Sequence, residues 1–258
     1  MRRERPAGVP AGCGGASVSP SAMHRAPAGE FTFAEAFPNG NLEPVKIHVL
    51  PAGPLQTNGY LLTELSTGEA VLVDAPQGIT EKIRPVLAKE GCKLVALWLT
   101  HGHFDHMQDA ARLKRELGVH VVAHRDDQGL IETPEIMEGF MGAKLGLEGV
   151  PVDQWVAQGD TLTALGRTFE VRHVPGHCPG NILFYQAEAR AVFVGDALFN
   201  GGVGRWDLPG GSFDQLAASI RTQIYTLPDD TVVLPGHGPR TTVGDEKEAN
   251  PFVAAVAR

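Results

Sequence analysis

Five histidines and two aspartates fall in short clusters along the chain: His101-Gly-His103-Phe-Asp105-His106, then His177, Asp196 and His237. The chain holds ten histidines, so half of them lie in these clusters. Each cluster follows an apolar run ending in Gly, Thr or Pro, which places it on a loop at a strand end. His101 and His103, two apart in a non-helical loop, can converge on one ion. His177, in the tight turn Pro175-Gly-His-Cys-Pro-Gly180, can join them. Three imidazoles suit zinc and leave a position for solvent. Asp105 and His106 can turn toward a second ion, with His237 of Pro235-Gly-His-Gly-Pro239 completing its set. Asp196 has two oxygens and can bridge both.

The chemistry expected of such a centre is hydrolysis. One zinc already brings the pKa of bound water down to about 7, and a water shared by two divalent ions is a nucleophile at neutral pH. An electrophilic carbonyl or phosphorus bound to one ion gains stabilisation of its developing oxyanion. Asp105 is the group expected to orient the metal-bridging hydroxide and pass a proton onward. His48, His120, His124 and His173 lie outside the clusters and are expected to be ordinary polar residues. Asp74 either hydrogen-bonds a ligand histidine or simply ends a strand. Cys178 directly follows a proposed ligand, so its side chain is expected to point away as a small buried thiol.

These loops need strands to carry them. Lys46–Leu50, Tyr60–Leu65 and Ala70–Asp74 read as successive strands separated by turn sequences. A helix over Ile79–Lys89 follows, ended by Gly91. Leu94–Thr100 is a continuous apolar run, as in a strand covered on both faces. A helix over Asp105–Leu117 is expected to bury Met107, Ala110, Ala111, Lys114 and Leu117, with Gly118 stopping it. Val119–Ala123 is another strand. Residues 132–159 show no clear strand and read either as a lid or as a surface helix with its connections. Strands resume at Thr161–Leu165, Thr168–Val174, Asn181–Tyr185 and Ala191–Gly195. A helix over Ser212–Leu227 opens on a capping box, Ser212-Phe-Asp-Gln215. Its buried stripe is Phe213, Leu216, Ala217, Ile220 and Ile224, and Thr231–Leu234 is the last strand. Strand, helix, strand and histidine recur in the same order in both halves, which suggests two similar layers face to face.

The net charge of −8 argues against general nucleic-acid binding. No apolar run approaches the ~20 residues of a membrane span. The three cysteines, Cys13, Cys92 and Cys178, are few and unpatterned, which fits a reducing, cytoplasmic setting without a disulfide framework. Residues 1–29 are rich in Ala, Gly, Pro, Ser and Arg, and residues 1–44 are expected to be a disordered extension before a domain over 45–258. The same composition fits an organelle transit peptide, or a start upstream of a true one at Met23.

With its motifs in view, the chain resembles the metallo-β-lactamase superfamily, whose signature reads here His101-Gly-His-Phe-Asp-His106. Within it the chain is similar to the short glyoxalase II group. Gly195-Asp-Ala-Leu-Phe199, Gly204-Arg-Trp-Asp-Leu-Pro-Gly-Gly-Ser212 and the stretch from Gly236 to Phe252 carry that likeness. The resemblance implies an α/β fold, an αββα four-layer sandwich with a binuclear centre along one edge. It implies that His101, His103 and His177 hold one ion, that Asp105, His106 and His237 hold the other, and that Asp196 bridges. It implies two divalent metal ions, foremost zinc, with iron and manganese as alternatives. Arg205 and Asp207 would shape the adjacent loop. The implied reaction is hydrolysis of a small-molecule S-acyl thioester such as S-lactoylglutathione. Alternatives on the same fold are a mononuclear-iron persulfide dioxygenase, a lactonase or another hydrolase. Full-length glyoxalase II enzymes add a C-terminal helical domain that grips glutathione, and this chain stops at Arg258, about where it would begin. The family's turn after the third histidine also differs, with Cys178 and Asn181 in place of a hydroxyl and an imidazole.

Overall fold

The computed structural model describes residues 29–32 and 45–254. Two sheets face each other, with helices on the outer side of each. The first sheet takes its strands in chain order: β1 (Gly29–Thr32), β2 (Lys46–Ala52), β3 (Thr57–Glu64), β4 (Glu69–Val73), β5 (Lys93–Trp98), β6 (His120–His124) and β7 (Gln154–Val156). Pairing is antiparallel through β4 and parallel from β4 to β7. The second sheet comprises β8 (Thr161–Ala164), β9 (Arg167–His173), β10 (Ile182–Gln186), β11 (Ala191–Gly195), β14 (Val232–Pro235) and β15 (Thr241–Thr242). Between β11 and β14, β12 (Leu198–Phe199) and β13 (Gly202–Val203) form a small ribbon of their own. The parallel pairs β4–β5 and β11–β14 occupy corresponding places in the two halves, as the repeated order in the sequence suggested.

Alternation along the strands builds three cores. Tyr60, Leu62, Val71, Val73 and Trp98 meet Phe169, Ile182, Phe184 and Phe193 between the sheets. Trp98 stands edge-on to Phe169 at 4.9 Å between ring centroids, and Tyr60 edge-on to Phe193 at 5.3 Å. Neighbours of opposite parity, such as Leu61, Leu72 and Leu97, pack outward against α1 (Ile79–Glu90) and α3 (Ala110–Leu117). On the far side Leu183, Val192 and Val194 pack with Leu216, Ile220 and Ile224 of the helical stretch that begins with α6 (Phe213–Ser219). The expected αββα sandwich is therefore present.

Five local expectations need correction. Gly29–Thr32, inside the segment expected to be disordered, pairs antiparallel with β2, while the rest of 1–44 lies outside the described residues. The helix expected over Asp105–Leu117 is two: α2 (Phe104–Met107) and α3. Ala75 causes the break, because its N–H donates to the His106 carbonyl at 2.6 Å and its carbonyl accepts from Asp109 N–H at 3.0 Å. Those groups are then lost to the helical ladder. On α3 it is Leu113 that is buried, whereas Lys114 reaches out to Asp153 at 2.5 Å. The expected helix from Ser212 to Leu227 is α-helical only to Ser219 and π-helical over Ile220–Ile224, with Ser212 Oγ capping Gln215 N–H. Residues 132–159, expected to hold no strand, include β7, three residues too short to show a pattern but paired with β6; they also contain α5 (Glu135–Met141), preceded by α4 (Gln128–Glu132). They cover the first sheet through Met137, Leu147 and Val150, which matches the surface-helix alternative. The last helix is α7 (Val243–Ala249).

Trp98 fills the space between the sheets, so Trp98→Ala is expected to cost about 3–5 kcal/mol of stability, read by denaturant unfolding. A loss under about 1 kcal/mol would contradict this placement.

Candidate metal centre

All seven residues singled out by sequence meet at one edge of the sandwich, where β5, β9, β11 and β14 end. His101 and His103 follow β5, and Asp105 and His106 sit on the single turn of α2. His177 lies in the β9–β10 turn, Asp196 directly after β11, and His237 after β14. Donor atoms of His101, His103 and His177 lie within 4.8 Å of one another, as do those of His101, His106 and Asp196, and those of Asp105, His106 and His237. The three groups overlap, so they form one centre. Asp196 lies between its parts: Oδ1 is 3.2 Å from His106 Nε2, while Oδ2 is 3.4 Å from His237 Nε2 and 3.7 Å from His177 Nε2. Gly236 permits this approach, since a Cβ there would overlap Asp196 Oδ1.

The outer ring nitrogens explain which way the imidazoles present their lone pairs. His106 Nδ1 donates to Asp74 Oδ2 at 2.7 Å, and His177 Nδ1 to the Arg205 carbonyl at 2.7 Å. His237 Nδ1 faces the Leu55 carbonyl at 3.3 Å. Thr100 Oγ1 gives its own proton to Asp74 Oδ2, so at 3.0 Å it accepts from His101 Nδ1. Four rings thus carry Nδ1–H outward and turn Nε2 inward, the arrangement that fixes tautomer and orientation in metal sites. His103 turns Nδ1 inward instead, 2.8 Å from His177 Nε2. His101 Nε2 is buried without a hydrogen-bond partner, and His106 Nε2 and Asp196 Oδ1, buried 3.2 Å apart, bond no other group. Buried polar atoms are rarely left so, and here all three face the same space. Nitrogen and carboxylate donors in these groups fit divalent ions.

Charge divides the centre. Burial and the neighbouring histidines hold His101 well below its usual pKa, and burial with His177 pushes His103 down to about 3. These rings are neutral and available as ligands. Burial also opposes charge on His106 and His237, but carboxylates outweigh it. Asp105, Asp196 and Asp74 hold His106 well above its usual range, and Asp196 with Asp105 raises His237 to about 10. Against their own burial, Asp196 is held low by His237 and His106, and Asp105 chiefly by His106.

The residues left open by sequence fall into place. Asp74 is more than a strand end: it binds His106 and, through Thr100 N–H at 2.8 Å, the start of the ligand loop. Cys178 is buried and points to Asp127, not to the centre; burial and that carboxylate push its thiol pKa up. Arg205 and Asp207 form an exposed two-bonded pair at 2.9 Å, while the Arg205 main chain holds His177. His48 bonds Thr63 inside the first sheet. His124 and His173 stack at 4.2 Å and 15° beside Asp126. Nearly parallel rings send their lone pairs along parallel planes, so this pair is a stack, as expected of ordinary histidines. Sequence reading missed Thr57, whose hydroxyl donates to Asp105 Oδ2 at 2.7 Å. It also missed Asn58 and Tyr60, which hold the Pro235 carbonyl at 3.0 and 2.6 Å. A Thr-Asn pair opening an apolar strand was their only signal.

Residues 52–237 match the family model of the metallo-beta-lactamase superfamily. The chain is 37% identical to hydroxyacylglutathione hydrolase GloC of Haemophilus influenzae over 81% of this chain and 98% of that protein. Among solved structures, BLEG-1 B3 metallo-beta-lactamase superposes with a TM-score of 0.74 at 35% identity, covering 80% of this chain and 99% of that one. TTHA1623 in a di-iron-bound form gives 0.70 at 39% identity, covering 79% and 98%.

Protons and metal compete for His106 and His237. With His237 raised to about 10, metal binding at pH 7 must displace protons, and affinity is expected to rise as pH climbs toward that value. Calorimetric zinc titrations in two buffers of different protonation enthalpy should show at least about one proton released per chain. Zero release would contradict this charge assignment.

Proposed function

The chain belongs to the metallo-β-lactamase superfamily, and from that premise we propose that it hydrolyses S-acyl thioesters such as S-lactoylglutathione. The observation that carries the reading is the likeness to hydroxyacylglutathione hydrolase GloC, matched over 98% of its length, together with a full donor set at the centre.

We assign His101, His103 and His177 to one divalent ion, Asp105, His106 and His237 to the second, and Asp196 to both. Such ions supply Lewis-acid polarisation of a carbonyl and acidify water. The chain's own residues do the rest. Outward Nδ1–H bonds to Thr100, Asp74 and Arg205 keep the Nε2 atoms of His101, His106 and His177 aimed inward. Thr57 fixes Asp105 through Oδ2. In the metal-free chain His106 and His237 hold Asp105 ionised, and we assign this carboxylate to receive the proton of the attacking water. A thiolate leaves readily from the collapsing adduct, so the site needs no strong acid on that side. Zinc is our assignment for the metal. Iron suits the same donors and is the metal named for TTHA1623. The two described cysteines, Cys92 and Cys178, are free and buried, which supports a cytoplasmic setting. No helix among the described residues is long and apolar enough to cross a membrane.

Metal-loaded protein assayed on S-lactoylglutathione beside a lactone and glutathione persulfide should turn over the thioester. No thioester turnover would overturn the reading, and one iron per chain with oxygen uptake on the persulfide would replace it with the dioxygenase. Asp196→Asn should lower kcat about 100-fold or more, the scale of losing one stabilising group in acyl transfer. Wild-type turnover would remove Asp196 from its assigned place.

A further inference from the structure

We propose that Asp127, outside the donor set, is a positioning residue: its buried carboxylate ties the loop bearing His101 and His103 to the loop bearing His177. The proposal rests on the metal reading above.

The first group draws its donors from two loops in different sheets, one following β5 and the other joining β9 to β10. A chelate tolerates little drift between them, so something must set their separation. Asp127 lies between these loops and is fully buried. Its Oδ2 accepts from Gly102 N–H at 2.8 Å, and Gly102 is the residue between His101 and His103. The same oxygen accepts from Cys178 Sγ at 3.1 Å, directly after His177. Oδ1 accepts from Gly180 N–H at 2.7 Å. One rigid carboxylate thus grips both loops at residues adjacent to the ligands or three further on.

Two further observations show that the contact is built. Asp127 is the residue before α4, where an aspartate commonly caps the helix, yet its side chain makes no cap. It serves the loops instead. The loops are also pressed onto it: a Cβ on Gly180 would lie 2.5 Å from Asp127 Cγ, and one on Gly102 would lie 3.2 Å from Asp127 Cβ and 2.7 Å from Leu130 Cβ. Neither position has room for a side chain.

Asp127→Asn keeps the shape and removes one acceptor, because its amide nitrogen would face a peptide N–H. Zinc content of the full chain is followed during dialysis against a graded chelator, with thermal unfolding of the metal-free proteins measured in parallel. Wild type should hold two zinc ions; fewer would refute the two-ion reading itself, separately from this proposal. The variant should lose one ion about 10–100-fold more readily, the usual scale for groups that orient ligands, and hold the other as wild type does. Unchanged retention of both ions would overturn the proposal. So would parallel loss of both with lowered Tm, which marks general destabilisation. Should Asp127→Asn not fold, Cys178→Ala should weaken one ion selectively and Cys178→Ser should restore it. Wild-type retention in both cysteine variants would overturn the proposal.

Discussion

Burying two carboxylates and five imidazoles together is tolerable only if positive charge sits among them. In the chain by itself, protons do part of this: His106 and His237 are held charged by Asp105 and Asp196. His101 and His103 are the opposite case, since burial and the neighbouring histidines keep them neutral. One side of the centre therefore presents bare nitrogen lone pairs, and the other must exchange protons for metal. That asymmetry comes from where the carboxylates lie, because both kinds of site are built on histidine.

Holding such a cluster needs a rigid frame, and the frame is the seam between the sheets. Ile182 N–H donates to the Thr100 carbonyl at 2.9 Å, joining the strand that follows the His177 turn to the start of the loop that carries His101. Gly236 N–H donates to the Gly195 carbonyl and Asn58 N–H to the Gly236 carbonyl, both at 2.8 Å. Asp196 and His237 are thus set by backbone bonds to neighbours in both sheets. The aromatic packing of Trp98, Phe169, Phe184, Tyr60 and Phe193 lies just below, so the edge is fixed from beneath as well as across.

The donor set was legible because it is written in residue type and spacing: histidines at loop ends have few other uses in such numbers. The apolar runs were equally legible, and the Ala191–Gly195 strand has the bounds the pattern suggested. What sequence did not show was competition between segments. The α2–α3 break comes from Ala75, far away in the chain, capturing groups the helix would have used. Asp127 stands beside Asp126 in the polar stretch Arg125-Asp-Asp-Gln128, and only the arrival of Gly102 and Gly180 gives it a task. Thr57, Asn58 and Tyr60 likewise act on residues from distant strands. The strand Gly29–Thr32 escaped notice because four residues are too few to show an alternating pattern.

The donors are spread from the end of β5 to the end of β14. The first part of the chain carries His101, His103, Asp105 and His106, and the rest of the set follows only later in sequence. His177 emerges with the first strands of the second sheet, Asp196 after β11, and His237 only with β14, the parallel strand that must slot beside β11. Neither half owns a complete site. Both halves must be in place before the seven side chains can meet, so the integrity of the centre reports on the whole fold and not on either sheet alone.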